Sequence, residues 1–288
     1  MQFGFPYVDT LKIQQDFGPG VHFFPRGNEG EQRQLGDLLE VEPISAVFCE
    51  FPSNPLLISP NLAALAELSR RHGFPLVVDE TLGTYVNVDL RAVADVLVTS
   101  LTKYFTGAGD VLAGAAIVSP QSPWFERLRE AVEREFEDVL WRGDALLLAR
   151  CSADFPARVE RINRRAEQVV EFCRSHPAIA EVYYPKYCTP GHYAAVQRRP
   201  GGYGGLFSLL LRAPERNTPR FFDSLQLCKG PNLGTYFSLC CPFTLLAHFR
   251  ELEWAESCGV SRYLLRFSVG LESASDLIDR LGRALAQL

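Results

Sequence analysis

Two short apolar runs in the first half of the chain each stop at polar residues. Residues 76–78 are followed by Asp79, and residues 96–99 are followed by the segment 100–103. A continuous apolar run is typical of a strand that is buried on both faces of a parallel sheet. The carboxyl ends of parallel strands meet at one edge of the sheet, where open α/β proteins bind their ligands. The pattern therefore predicts that a carboxylate, two hydroxyls and one lysine converge on one crevice.

The segments before these runs complete an alternating pattern. Residues 44–49 form another apolar run, and Asn61 precedes an amphipathic helix that extends to residue 72. An Asn before the first turn accepts a hydrogen bond from a backbone N–H group that the helix leaves free. Alternation of strand, helix and strand is the pattern of a parallel sheet with right-handed crossovers. We expect a large α/β domain, residues 1–153.

The rest of the chain, residues 154–288, is predicted to form a smaller α+β domain. It opens with a charged amphipathic helix at residues 155–175, and the polar face of this helix, including Arg158, is predicted to be solvated or to lie at a subunit contact. Four glycines within residues 201–205 precede the apolar run 206–211. No helix start or phosphate-loop motif follows them, so we predict a flexible loop ahead of an edge strand.

The polar residues of the predicted crevice suit pyridoxal phosphate (PLP). This cofactor needs an amine for a Schiff base, an anion beside its pyridine nitrogen and hydrogen-bond donors for its phosphate. Lys103 supplies the amine, Asp79 the anion, and Ser100 and Thr102 the donors. Burial beside a cationic ring lowers the pKa of a lysine and frees its amine to react. Taken singly, a solvated lysine and a carboxylate that caps a turn remain the simpler explanations.

Taken together, these residues resemble a known family. VVDET followed by SLTKYFTGAGDVLAG is similar to the Cys/Met-metabolism PLP-dependent enzymes, whose pattern is VVDNT followed by S-x-TK-x-x-x-GHxD-x-x-GG. Glu80 in place of the usual Asn is closer to the fungal cystathionine γ-synthase branch. The resemblance covers nearly the whole chain. It implies fold type I, the fold of PLP-dependent transferases of the aspartate-aminotransferase type, with Lys103 as the Schiff-base lysine.

Four further residues receive roles from the resemblance. Tyr7, in FPYVDT, aligns with an aromatic residue that stacks on the cofactor ring, and it is with Lys103 the predicted catalytic pair. Asn54, in EFPSNP, aligns with an Asn that hydrogen-bonds the ring hydroxyl. Arg266, in LLRFSVGLE, aligns with an Arg whose planar fork of donors binds the substrate α-carboxylate. Asn232, in GPNLGT, stands where most relatives have a Ser beside that carboxylate.

Alternatives for three of these residues stay open from the sequence alone. A Tyr packed at a strand end would explain Tyr7, and an Asx turn would explain Asn54. An Arg within an apolar strand needs a partner, and an ion pair with Glu272 or another acid would supply one for Arg266.

Composition narrows the class of protein. The chain has 288 residues and a net charge of −5, and it lacks a basic cluster, so we expect no nucleic-acid partner. No apolar run approaches the roughly 20 residues that span a bilayer, and no secretory signal is visible, so a cytoplasmic protein is expected. The eight cysteines contain no C-x-x-C and the five histidines no H-x-x-x-H. We therefore predict free thiols and no metal site.

The resemblance implies a reaction, and it also shows one difference between this chain and its relatives. The reaction is γ-substitution on an O-acylhomoserine by cysteine, which yields cystathionine in transsulfuration and methionine biosynthesis, in a homo-oligomer. The alternatives are a γ-lyase, a secondary-metabolic γ-substitution enzyme or a catalytically impaired paralogue. Relatives carry a long segment before the equivalent of Tyr7, with a phosphate-binding loop and a Tyr-x-Arg segment. We therefore expect a large domain that is incomplete at its N-terminus, and a chain that by itself holds PLP poorly and catalyses little.

Overall fold

The computed structural model describes residues 1–288, which form two β-sheets with helices packed around them. The strands of the first sheet are β1 (Gln2–Phe3), β2 (Phe23–Phe24), β3 (Val47–Glu50), β4 (Leu76–Asp79), β5 (Val96–Ser100) and β6 (Gly114–Val118). Their order is β2-β1-β3-β4-β5-β6. All neighbours are parallel except β5 and β6, which are antiparallel. The predicted parallel sheet is therefore confirmed for its first five strands.

Helices connect and cover this sheet. They are α1 (Val8–Phe17), α2 (Glu29–Leu39), α3 (Leu62–His72) and α4 (Thr84–Asn87). The predicted cap of α3 is present, because Asn61 Oδ1 accepts a 3.2 Å hydrogen bond from the backbone N–H of Ala64. Leu65 of α3 is fully buried in the same hydrophobic cluster as Val47 and Leu76 from the two adjacent strands. This packing fixes β3 and β4 side by side, with their carboxyl ends at one edge.

The second sheet has the order β7-β8-β11-β10-β9, and all its neighbours are antiparallel except β10 and β9. Its strands are β7 (Ile179–Tyr183), β8 (Leu206–Leu211), β9 (Cys228–Lys229), β10 (Leu239–Pro242) and β11 (Leu265–Ser268). Two helices, α5 (Phe125–Glu135) and α6 (Arg142–Ser152), follow the first sheet in the chain and contact β6 and the turn after β5. The helices that follow are α7 (Phe155–Ser175), α8 (Pro185–Cys188), α9 (Pro190–Ala194), α10 (Pro214–Ser224), α11 (Phe243–Ala247), α12 (Leu252–Ser257) and α13 (Ala274–Leu285). The longest helix, α7, has 21 residues and carries many charges. No helix is both long enough and apolar enough to cross a membrane.

The prediction of a flexible loop before an edge strand is wrong. The strand β8 is paired on both sides, with β7 and with β11, so it is not an edge. The glycine-rich loop before it is anchored by its backbone N–H groups. Gly202 donates to Asn87 Oδ1 at 3.0 Å, and Gly204 donates to Asn163 Oδ1 at 3.0 Å. The absence of side chains lets this loop run against buried amide groups of α4 and α7.

The prediction that the charged face of α7 is solvated is wrong for Arg158. Arg158 is only 1% exposed. One guanidinium nitrogen, Nη2, donates to the carbonyls of Phe105 at 2.7 Å and Tyr104 at 3.2 Å, and Nη1 pairs with Asp154. Helix α7 therefore packs against the segment that follows Lys103, and it uses a buried arginine to hold that segment's backbone.

Candidate active site

A cavity of about 250 Å³ lies at the carboxyl ends of β3, β4 and β5. Six of the eight residues singled out in the sequence line it: Tyr7, Asn54, Asp79, Ser100, Thr102 and Lys103. The other two lie in contact with this set, because Asn232 accepts a hydrogen bond from Lys103 and Arg266 donates one to Asn54. The structure thus gathers all eight around one crevice, where the ends of adjacent parallel strands meet.

Lys103 lies in a π-helical turn, Leu101–Phe105, that begins directly after β5. Its Nζ donates a 2.9 Å hydrogen bond to Asn232 Oδ1, which also accepts the backbone N–H of Leu233 at 2.9 Å. Burial lowers the pKa of the Lys103 amine, and the positive charge of Arg266 lowers it further. A lysine in this setting loses its proton more readily than a surface lysine and can act as a nucleophile or base.

Asp79 ends β4 and faces the same cavity. Its Oδ1 accepts the backbone N–H of Thr81 at 2.8 Å, which is the arrangement of a turn cap. Burial raises the pKa of this carboxyl, while the hydrogen bonds from Thr81 lower it. Asp79 has no cationic partner within the chain, so its negative charge can be offset by a cationic ligand such as a protonated pyridine.

The two predicted phosphate-binding hydroxyls differ in what they already bind. Thr102 Oγ1 accepts the backbone N–H of Ala113 at 3.0 Å and contacts the carbonyl of the same residue at 3.4 Å. Ser100 is held through its backbone N–H, which donates to Thr81 Oγ1 at 2.8 Å, and its hydroxyl makes no hydrogen bond within the chain. Ser100 is therefore the freer donor for an anion at this edge.

Arg266 is 4% exposed and lies in β11, the central strand of the second sheet. Its Nη1 donates to Asn54 Oδ1 at 3.0 Å, and its Nη2 donates to the carbonyl of Pro231. Neither alternative from the sequence is present. Glu272 instead accepts hydrogen bonds from Ser238 at 2.7 and 2.8 Å, and the Asn54 oxygen is taken by Arg266 rather than by an Asx turn.

Tyr7 lies at the rim of the cavity and is 55% exposed, so the alternative of a tyrosine packed at a strand end is wrong. It is the N-cap residue of α1, and its exposed side chain is one of those that line the cavity, where it can cover a ligand from one side. A planar aromatic group in this position can stack on a heteroaromatic ring.

The comparisons with known proteins agree with this geometry. A model of the Cys/Met metabolism PLP-dependent enzymes matches residues 21–286. The chain belongs to this family. The cofactor of the family is PLP, and the donor set of the cavity fits it: an amine of lowered pKa, an unpaired carboxylate and a free hydroxyl. When bound there, PLP supplies the electron sink for chemistry at the carbons of an amino acid.

Several fungal relatives of the family are similar in sequence. Cystathionine gamma-synthase of Neurospora crassa is 44% identical over 99% of this chain and 46% of its own length. The cystathionine gamma-synthase-like enzyme iboG2 of Amanita muscaria is 41% identical over 98% of this chain and 50% of its own length. The chain thus spans about half the length of the curated relatives it matches.

A solved family structure has the same fold. Cystathionine gamma synthase from Xanthomonas oryzae pv. oryzae, in complex with aminoacrylate and cysteine, superposes with a TM-score of 0.85 at 25% identity. The match covers 99% of this chain and 75% of that one. Fold type I, implied by the sequence motifs, is therefore confirmed.

One buried acid of the site was missed by sequence reasoning. Glu50 is 7% exposed and lines the cavity. It stands within the EFPSNP motif and ends an apolar strand. That position was the available signal, since an acid at the end of a buried strand faces the ligand edge of the sheet.

Proposed function

We propose that the protein catalyses PLP-dependent γ-substitution on an O-acylhomoserine, with cysteine as the nucleophile and cystathionine as the product. The observation that supports this most directly is that the Lys103 amine and the Asp79 carboxylate face one cavity of about 250 Å³ in a chain of this family. The similarity to cystathionine gamma-synthase of Neurospora crassa supports the choice of reaction.

In this proposal each side chain acts on a defined atom. Lys103 would hold the cofactor through its amine and would move protons at Cα and Cβ of the substrate. Asp79 would keep the pyridine nitrogen protonated, and the hydroxyls of Ser100 and Thr102 would donate to the phosphate. In the net substitution the Cγ–O bond breaks and the acyloxy group leaves as a carboxylate, while the cysteine thiol gives up its proton and its sulfur bonds to Cγ.

The remaining residues orient the cofactor and the substrate. Tyr7 would stack on the ring, and the amide of Asn54 would contact the ring hydroxyl. Arg266 binds the substrate α-carboxylate with N–H donors that Asn54 and Pro231 leave free. Asn232, now bonded to the Lys103 amine, lies beside that carboxylate. We further propose small amino-acid substrates, a cytoplasmic location and, for a chain with a complete N-terminal segment, a homo-oligomer.

A second candidate is elimination or secondary-metabolic γ-substitution on the same residues. The 41% identity to the iboG2 enzyme of Amanita muscaria supports it, because the residues proposed for the cofactor do not select the nucleophile. The two candidates differ in product. Cystathionine formed from O-acylhomoserine and cysteine supports the first, and an oxoacid released without consumption of cysteine supports a lyase.

The test begins with the lysine. Purified protein is incubated with PLP, reduced with borohydride and mapped by peptide mass spectrometry. We expect the pyridoxyl label on Lys103, with Lys186, which already pairs with Glu167 and Glu171, as the internal control that stays unlabelled. A label on another lysine contradicts the assignment of Lys103. Absence of any label, together with absence of turnover, supports a catalytically impaired chain instead.

A further inference from the structure

Glu50 is the last residue of β3, and the register of the sheet pairs it with Asp79, the last residue of β4. Residues paired in this way on neighbouring strands stand side by side, about 4.8 Å apart along the hydrogen-bonding direction. Two acids therefore lie next to each other at the cavity. Burial raises the pKa of Glu50, and the negative charge of Asp79 raises it further. A buried acid beside a second acid needs hydrogen-bond donors to stabilise it.

The partners of Glu50 are two backbone N–H groups from different segments. Its Oε1 accepts the N–H of Tyr7, and its Oε2 accepts the N–H of Asn54 at 3.0 Å. Neither N–H group donates to a backbone carbonyl, so Glu50 is the acceptor for both. Tyr7 begins helix α1, whereas Asn54 lies in the loop after β3. One side chain thus joins the two segments that carry the proposed ring-contacting groups.

The same contacts extend to the second sheet. The Oδ1 of Asn54 accepts a hydrogen bond from Arg266, so Glu50 holds the backbone of a residue whose side chain contacts the proposed carboxylate-binding arginine. Tyr7 and Asn54 are bonded to Glu50 directly, and Arg266 is linked to it through Asn54. The three residues lie in separate segments of the chain. Their relative positions are set by tertiary contacts, and Glu50 is the group that joins Tyr7 and Asn54 directly.

We propose that Glu50 is a positioning residue, whose carboxylate holds the backbones of Tyr7 and Asn54 at the cofactor cavity. This inference rests on the proposed function, because it assigns Tyr7 and Asn54 to the cofactor ring. Glutamate suits the task because its two oxygens accept two N–H groups at once. Glutamine has the same shape but only one side-chain oxygen. Its NH2 group takes the place of the second oxygen and points N–H donors at the second backbone N–H, which cannot accept them.

The test uses hydrogen exchange in the cofactor-free protein, so that it does not depend on activity. In Glu50→Gln we expect the amide of Tyr7 or of Asn54 to exchange at least tenfold faster than in the wild type, while helix α13 is unchanged. Glu80→Gln is the matched control, because Glu80 is also a buried acid beside Asp79 but accepts no backbone N–H. It should leave both amides at wild-type rates.

A second measurement separates positioning from simple stability. PLP titration followed by absorbance should give a dissociation constant at least tenfold higher for Glu50→Gln, and Glu50→Asp should restore part of the affinity because it keeps the carboxyl group and one of the two bonds. A purely structural Glu50 would lower the melting temperature and leave the affinity of the folded protein unchanged.

Three results overturn the inference: wild-type exchange at both amides in Glu50→Gln, equal acceleration in Glu80→Gln, or unchanged PLP affinity in Glu50→Gln. If Glu50→Gln does not fold, Glu50→Asp decides, since it should accelerate one of the two amides and spare the other. Wild-type rates at both amides in that variant also overturn the inference. Failure of the wild type to bind PLP, with the exchange result as expected, would contradict the proposed function and not the role of Glu50 in holding the two backbone segments.

Discussion

Lys103 and Asn232 come from segments that belong to different sheets, and the Nζ of Lys103 lies 2.9 Å from the Oδ1 of Asn232. Lys103 follows β5 of the first sheet, whereas Asn232 lies between β9 and β10 of the second. The reactive amine is thus held at the contact between the two sheets. A change in how the sheets pack would move this amine directly.

We predict that Gly234→Ala disrupts this contact. Gly234 has φ of +73°, and a Cβ there would lie 2.6 Å from the backbone nitrogen of Tyr104 and 2.9 Å from the carbonyl carbon of Lys103. Both the left-handed backbone and the close approach oppose a side chain, so we expect a loss of about 2–4 kcal/mol in unfolding free energy by denaturant titration. The control is Gly36→Ala in α2, where a Cβ meets open space and about 1 kcal/mol of stabilisation is expected. Equal effects of the two changes would contradict the prediction.

Arg158→Met should destabilise the protein by about 3 kcal/mol or more. The change leaves the carbonyls of Tyr104 and Phe105 without donors inside the fold, and unpaired buried polar groups cost about 1–3 kcal/mol each. Thermal and urea unfolding measure the loss. Arg164→Met on the exposed face of the same helix is the matched control, expected to stay within about 0.5 kcal/mol of the wild type. A neutral Arg158→Met would mean that water replaces the guanidinium.

Asp79→Asn should lower turnover at least tenfold and affect substrate binding less. The amide keeps the shape and can still accept the Thr81 N–H, but it removes the charge proposed to keep the pyridine nitrogen protonated. A lost charge-assisted hydrogen bond is worth about 1.5–3 kcal/mol, and about 1.4 kcal/mol corresponds to a tenfold change in rate. Steady-state kinetics with O-acylhomoserine and cysteine measure the effect. Unchanged turnover would show that Asp79 is a turn cap alone.

Glu80→Gln should change how stability depends on pH. Burial raises the pKa of Glu80 to about 7 from an ordinary 4.5, and the charge of Asp79 adds to the rise, while Arg198 opposes it. Because the folded pKa is raised, the stabilising contribution of the protonated acid is complete below pH 4.5 and is lost as the pH rises through about 7.

Relative to wild type, Glu80→Gln should therefore gain stability between these two pH values and remain the more stable protein above them. The gain is on the order of 3 kcal/mol, since one pKa unit corresponds to about 1.4 kcal/mol. Urea titrations of both proteins across this pH range give the difference. Parallel curves for the two proteins would contradict the raised pKa. Asp79 and Asp89 also lie near Glu80, and loss of the Glu80 charge lowers their pKa values in the variant, which adds to its relative stability as the pH rises.

Much of the first sheet was predictable, because its strands carry a local signal. Buried parallel strands are continuous apolar runs, so residues 76–79 and 96–100 stand out in the sequence, and the polar residues after them mark the ligand edge. The cap at Asn61 and the helix Phe155–Ser175 were predictable for a similar reason, since capping and helical periodicity involve residues only a few positions apart.

Only the tertiary structure decided which polar groups meet across the chain. Arg266 and Asn54 are separated by 212 positions, and no local period encodes their hydrogen bond. Arg158 has the sequence setting of a surface residue, yet it is buried because α7 packs on the segment after Lys103. The two partners of Glu50 also lie in separate segments. A sequence specifies the periodicity of each element, but the partner of a buried polar group depends on which elements the packed core brings together.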